Sequence, residues 1–303
     1  MGVYTMMTQT ARTRAAVQPV TLVRDLVALG KPRLSALVVC TAAGGMWLAP
    51  GRLGALRAAV ALAGTTLVVA AANALNNYLE REIDGRMRRT RDRPLPAGRL
   101  EPSVALAFGL LVAAVAIPAL AMYVNPLTGL LAAVAIVSYV MVYTPMKQRS
   151  GLALFVGAVP GAIPPLMGWT AVTGQLDAGG LALFGILFFW QLPHFLAISI
   201  YLAEDYARGG LRVFALEYGE RAARIAAAVT SLLLVPVSLT LVPLGLAGPL
   251  YGVSALGLGT GLSAYALTGL RQPVPSTRWA RTFFLLTLAY LTLLFIALFL
   301  GAR

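Results

Sequence analysis

Asn76, Glu80 and Asp84 stand four residues apart in the run NNYLEREIDGRMRRTRDRPLPAGR, residues 76–99. On an α-helix each step of four advances about 400°, so the three drift only ~40° per step and share one face, with ~6 Å of rise between neighbours. Two carboxylates and a carboxamide so placed are hard oxygen ligands that suit Mg²⁺, which keeps several waters and shares substrate phosphates. The competing reading is an acidic patch neutralised by Arg81, Arg86 and Arg88. The acids follow a long apolar run, at the helix end that already carries partial negative charge, so a cation is needed in either case.

Five further stretches carry chemistry. Glu204–Asp205, preceded by Tyr201, is either a second metal or phosphate site or a helix-end cap paired with Arg208. The loop Arg86–Arg99, stiffened by Pro94 and Pro96, either offers arginine forks, a geometry that matches phosphate oxygens, or carries only the positive charge that membrane topology puts there. Lys147 and Arg149 are the next basic pair. WQLPHF (Trp190–Phe195) sets the lone histidine, His194, in an apolar run, where it serves a substrate, a proton, haem iron or simply a neighbouring helix. GAVPGAIPPLMGW (Gly157–Trp169) is a Gly/Pro-rich span, tolerated at membrane depth where it lines a cavity or packs closely. Together these groups describe a site for an anionic, diphosphate-headed lipid, with Mg²⁺ between phosphates and carboxylates and the apolar tail between helices.

The elements that position them are membrane spans. Hydrophobic residues make up 59% of the 303 and charged residues 12%, against roughly 45–50% and 25% in soluble domains. The pattern predicts an all-α integral membrane protein with nine transmembrane helices: Leu34–Ala49, Ala58–Leu79, Val104–Val124, Leu127–Tyr143, Leu152–Val172, Leu181–Ala203, Ile225–Leu244, Leu250–Leu270 and Phe283–Ala302. With the N-terminus in the cytoplasm, 21 of the 24 Lys/Arg fall on the inside, as the positive-inside rule requires. Ten of the eleven acids lie there too, which that rule does not explain. The functional face is therefore expected to be cytoplasmic. The second and sixth spans would both bring acid-tipped C-terminal ends to it, which suggests a duplicated four-helix unit. Residues 1–28 read as a cytoplasmic tail and 29–303 as a single transmembrane domain. Cys40 stands alone, so an internal disulfide is excluded. The +13 charge reports topology, and no nucleic-acid partner is indicated.

NNYLEREID followed by RTRDRPLPAGRLEP resembles the N-x-x-x-D-x-x-x-D motif and basic loop of the UbiA superfamily of intramembrane prenyltransferases. LGKPRLSAL (29–37), GAIPPLMGW (161–169) and WQLPHFLAISIYLAEDYARGG (190–210) are similar to its haem-farnesylating branch, and the resemblance runs from about Leu29 to Glu220. It implies a UbiA-type helical bundle that joins farnesyl diphosphate to haem B. Position by position it implies that Asn76, Glu80, Asp84 and Asp205 hold Mg²⁺ and the diphosphate. Asp84, Asp205 and Tyr201 would be catalytic, and Arg89, Arg93, Lys147 and Arg149 would bind the diphosphate. His194 would face the haem. It further implies a bacterial inner membrane location and a haem A synthase as partner. Glu80 departs from the motif's aspartate, and Gly209 stands where the wider superfamily has a second acid.

Two other readings compete. One is a UbiA-type enzyme prenylating a quinone precursor or a chlorophyll-like ring; WQLPHF and the missing second acid argue against it. The other is a transporter, whose site would lie near the membrane midplane rather than at one face.

Overall fold

The computed structural model describes residues 19–301; residues 1–18, most of the expected tail, lie outside the described residues. The regular elements among the described residues are helices, joined by turns and loops. In order the helices are α1 Pro19–Leu29, α2 Pro32–Leu48, α3 Ala55–Arg86, α4 Pro102–Tyr123 and α5 Pro126–Val137, which continues through a π-helical stretch, Ser138–Tyr143, into α6 Thr144–Met146. Then come α7 Ala153–Thr173, α8 Ala178–Tyr201, α9 Ala203–Gly209, α10 Phe214–Glu217, α11 Glu220–Leu239, α12 Pro249–Thr268 and α13 Thr277–Gly301. Among the described residues eight helices are long and apolar enough to cross a membrane. A ninth arises if α1 and α2, bent by 49° at their junction, count as one span. Proline at the first position starts α2, α4, α5 and α12, where its missing N–H costs nothing. Asp177 caps α8 through Oδ1, accepting from Gly179 N at 3.0 Å and Gly180 N at 3.1 Å.

Two differences from the expected spans matter for the site. The first span is broken: Pro32 lacks an N–H and pushes the residue before it out of the right-handed helical region. Lys31 accordingly sits at φ 50°, ψ 62°, a left-handed conformation rare outside glycine. The second difference concerns the sixth span. It ends at Tyr201, and Glu204–Asp205 open a separate short helix, α9, instead of closing α8. Acids in a first turn complement the helix dipole, so the expected match between two acid-tipped C-terminal ends does not hold.

The core has two parts joined through α7. Buried side chains of α7, α8, α11, α12 and α13 form the larger, with Trp169, Leu196, Leu234 and Phe283 sealed inside; α3, α4, α5 and α7 form the smaller. Large apolar side chains such as Leu111, Met122, Met141, Val253 and Leu300 stay on the outside, where a hydrocarbon surround is their solvent. The Gly/Pro-rich α7 is continuous and largely buried. Its glycines serve close packing: a Cβ on Gly168 would collide with the Ala42 carbonyl of α2, and one on Gly45 with the Pro165 carbonyl of α7. Small residues are what let backbones approach this closely in a membrane. Gly168→Val is therefore expected to cost at least about 1–3 kcal/mol of stability, read as a lower melting midpoint in detergent; an unchanged midpoint would refute the close contact.

Arg224 shows how a charge can be structural. Only 2% exposed, it pairs with Glu220 and donates to the carbonyls of Gly269 (2.9 Å), Gln272 (2.7 Å) and Pro273 (2.8 Å), locking the turn between α12 and α13.

Candidate active site

The last turns of α3 build the site. Asn76, Glu80 and Asp84 do share a face, and that face is buried, at 1%, 5% and 1% exposure. Each finds a partner from a different element. Asn76 Oδ1 accepts from Lys31 Nζ at 3.2 Å, and its Nδ2 donates to Glu80 Oε2 (2.9 Å) and Thr144 Oγ1 (3.1 Å). Lys147 Nζ stands 2.5 Å from Glu80 Oε1. Arg93 Nη1 donates to Asp84 Oδ2 at 2.6 Å and to Asn77 Oδ1 at 3.3 Å. Three cations thus converge on one helical face: one from the α1–α2 break, one from the basic loop, one from the end of α6.

The sequence around each cation explains its place. At the α1–α2 break the helix leaves carbonyls without partners. Asn77 Nδ2 takes that of Leu29 at 3.0 Å, and Asn73 Nδ2 with Ser35 Oγ takes that of Gly30 at 3.2 and 2.5 Å. Asn73 and Asn77 therefore clamp the break to α3, which delivers Lys31 to Asn76. The π-helical stretch before α6 shifts the register of the span's last turns. Thr144 bonds Tyr139 O at 2.8 Å, and Lys147 lies over the Tyr143 ring, 4.8 Å from its centroid. Arg212 N donates to Lys147 O at 2.9 Å, so the segment after α9 fixes that lysine too. Burial alone would lower the pKa of Lys147; the Glu80 carboxylate outweighs it and holds the ammonium above its ordinary value.

α9 closes the site from the other side. Asp205 accepts from Arg88 N at 2.9 Å, Arg89 N at 3.5 Å and Arg208 Nη2 at 2.9 Å. Ile83, Met87 and Leu211 pack beneath, with Tyr206 against them. Asp84 and Asp205 therefore lie at the same end of the bundle, joined through residues 84–89. Tyr206 sits between, its phenol facing Arg89, Lys147, Glu80 and Asp205, with the Arg89 guanidinium 5.9 Å over its ring. Burial chiefly raises its pKa, so it stays a neutral phenol.

Burial would also raise the pKa of Asp205, but the Arg208 guanidinium and the two loop amides hold it below its ordinary value. A depressed carboxylate contributes stability above the unfolded value, ~3.9, and loses it as pH falls through the folded one. Amide protection at Arg88 and Arg89 is therefore expected to stay level from about pH 8 to pH 5 and to fall only in stronger acid. Hydrogen exchange corrected for intrinsic rates reads this; protection lost between about pH 8 and pH 6 would contradict it.

The remaining expected residues lie elsewhere. Arg149 is exposed and makes no side-chain ion pair among the described residues. Tyr201 is half-buried against Phe284 of α13, ring centroids 6.5 Å apart, outside the charged group. His194 lies two turns back along α8, its ring 4.8 Å from that of the same Phe284. Lys31, Thr144 and Tyr206 belong to the site and were not expected. A lysine before proline, and a tyrosine directly after Glu204–Asp205, were the available signals.

Among the described residues no three acidic, histidine or cysteine side chains gather closely enough to hold a metal ion by themselves. The donor set nonetheless fits Mg²⁺. It is all oxygen, and Glu80 and Asp84 bring two buried carboxylates to one helical face beside the Asn76 carboxamide. Mg²⁺ bound through one or two carboxylates takes its other ligands from phosphates and water.

Residues 37–300 match the model of the UbiA prenyltransferase family. The chain belongs to that family. This UbiA prenyltransferase is 65% identical over 292 residues to the protohaem IX farnesyltransferase of Anaeromyxobacter dehalogenans, covering 96% of this chain and 98% of that protein. Solved structures give the same fold. A UbiA homologue from Aeropyrum pernix superposes with a TM-score of 0.72 at 19% identity, over 88% of this chain and 98% of the other. One from Archaeoglobus fulgidus, bound to GPP and Mg²⁺, superposes with 0.64 at 15%, over 90% and 99%. The UbiA prenyltransferase is thus an integral, multi-pass membrane protein with its charged cluster at one end of the bundle.

Proposed function

We propose that this UbiA prenyltransferase transfers the farnesyl group of farnesyl diphosphate to a vinyl group of haem B, giving haem O on the way to haem A. The observation that carries the reading is the 65% identity, over nearly the whole chain, to a relative named for this reaction. The charged cluster supports it, because Lys31, Arg93 and Lys147 gather where a diphosphate would need them.

The residues divide the work. Before substrate arrives, each cation is held by an oxygen of the α3 face: Lys31 by Asn76, Lys147 by Glu80, Arg93 by Asp84. A diphosphate entering between them takes over the cations and leaves Glu80 and Asp84 to a divalent ion. Mg²⁺, when bound, would link those carboxylates to the phosphates and neutralise charge building on the leaving group. Arg89, whose guanidinium lies over Tyr206, would meet its outer oxygens, and the exposed Arg149 would do so only by reaching in from the loop after α6. The bond from the allylic carbon to oxygen breaks, both electrons leaving with the diphosphate. The vinyl π pair of haem B then forms the new carbon–carbon bond, and water captures the resulting cation and loses a proton. Tyr206, kept neutral, is the hydroxyl at the leaving-group end, and Tyr201 lines the acceptor side. The A. fulgidus homologue's GPP and Mg²⁺ support the use of a prenyl diphosphate with a metal.

We place the site at the cytoplasmic face of a bacterial inner membrane, with residues 1–28 as a tail and the rest as one transmembrane domain, on the distribution of Lys/Arg. The product would pass to a haem A synthase. The test is to incubate purified protein with farnesyl diphosphate, Mg²⁺ and either haem B or 4-hydroxybenzoate, and to analyse products by mass spectrometry. Haem O from the first and nothing from the second is expected. Prenylated 4-hydroxybenzoate without haem O would replace haem with a quinone precursor as acceptor, and undiminished turnover in chelator would remove the metal.

A further inference from the structure

His194 precedes the end of α8 by seven residues, a rise of ~10 Å from the charged cluster's level. Its ring is held from several sides. Nδ1 lies 2.8 Å from Thr287 Oγ1 on α13. The ring stacks on Trp190 at 4.9 Å and leans on Phe284 at 4.8 Å. Trp190 is itself fixed, its Nε1 donating to Thr287 O at 2.6 Å. So much restraint on one imidazole is more than helix packing needs.

The contacts of Thr287 point to one tautomer. The Thr287 hydroxyl donates to the Phe284 carbonyl at 2.6 Å. A hydroxyl has a single proton. With that proton on the Phe284 carbonyl, Thr287 Oγ1 can only accept from His194. Nδ1 therefore carries the ring hydrogen, and Nε2 presents a bare lone pair. Among the described residues Nε2 has no hydrogen-bond partner. The side-chain atoms that are both sealed and unpartnered there are Glu80 Oε1 and Trp169 Nε1. Nε2 is not one of them, so it is not fully sealed.

A ligating imidazole almost always donates its other N–H to a fixed acceptor, which sets the tautomer and the ring plane. We infer that His194 Nε2 is an axial ligand for the iron of the haem acceptor, and that Thr287 is the positioning residue that fixes its tautomer. This rests on the reading of haem B as acceptor. Coordination at His194 would hold the macrocycle where α8 meets α13. It involves no redox change, only donation of the nitrogen lone pair to iron.

The test is resonance Raman spectroscopy of the full-length protein in detergent with ferrous haem B. An iron–histidine stretching band is expected in the wild type, lost in His194→Ala and restored there by added imidazole. Thr287→Val keeps the histidine but removes the acceptor for Nδ1–H; its band shifts to lower frequency, and Thr287→Ser returns it. A wild-type spectrum in His194→Ala, or no shift in Thr287→Val, overturns the inference. Haem uptake by the wild type without an iron–histidine band overturns it while sparing the proposed function. No haem uptake at all overturns both.

Discussion

Asp84→Asn is expected to abolish measurable prenyl transfer while leaving the bundle assembled. The carboxylate is 1% exposed and accepts from Arg93 Nη1 at 2.6 Å. Asparagine has the same shape and keeps one oxygen for Arg93, and Asn77 still holds that arginine at 3.3 Å. What disappears is the negative charge that would hold a divalent ion against the diphosphate. Losing one group of this kind typically costs about 10²–10³ in rate, or about 3–4 kcal/mol of barrier. Haem O yield by mass spectrometry and the melting midpoint should therefore part company, the first collapsing and the second barely moving. Activity within about threefold of wild type would mean that the α3 face serves stability alone.

The second large effect concerns Lys147. Its ammonium stands 2.5 Å from Glu80 Oε1, and the Glu80 side chain is 7% exposed. Lys147→Met leaves a buried carboxylate facing no cation at that distance, and breaking such a pair costs about 3–5 kcal/mol. Adding Glu80→Gln removes the stranded charge, so Lys147→Met/Glu80→Gln should recover most of the lost stability. It should not recover activity, because the diphosphate has still lost a cation. A thermal melt and a turnover assay on both single variants and the double separate the two roles. If Lys147→Met melts like the wild type, the pair is not a buried one and the description of this face is wrong. If the double variant regains full turnover, Lys147 plays no part in holding the leaving group.

Much of this was legible in the chain because the membrane makes it so. Long apolar runs must be helices when no water can satisfy the backbone, and the spacing of Asn76, Glu80 and Asp84 needs only a regular helix to put them on one face. What escaped depended on helix breaks. Pro32 announces one, but not that Asn73 and Asn77 would cap it and bring Lys31 into the site. The break at Leu202, with φ −109° and ψ 20°, has no proline or glycine to mark it. Reading α8 and α9 as one helix put Tyr201 in line with Asp205, whereas the turn brings Tyr206 into the charged cluster and leaves Tyr201 against Phe284. The π-helical stretch at Ser138–Tyr143 leaves no signature in composition, yet it accompanies the turn that brings Thr144 to Asn76. The Gly/Pro character of α7 was legible as special; that it serves contact with α2 came from the packing alone.

The central claim is that the end of α3 and the start of α9 hold one diphosphate between them. Calorimetric titration of the unreactive analogue farnesyl S-thiolodiphosphate, in the presence of Mg²⁺, tests it in wild type, Asp84→Asn and Asp205→Asn. Each substitution alone is predicted to weaken binding by about tenfold or more, at least 1.4 kcal/mol. Wild-type affinity in Asp205→Asn would place α9 outside the site and contradict the account.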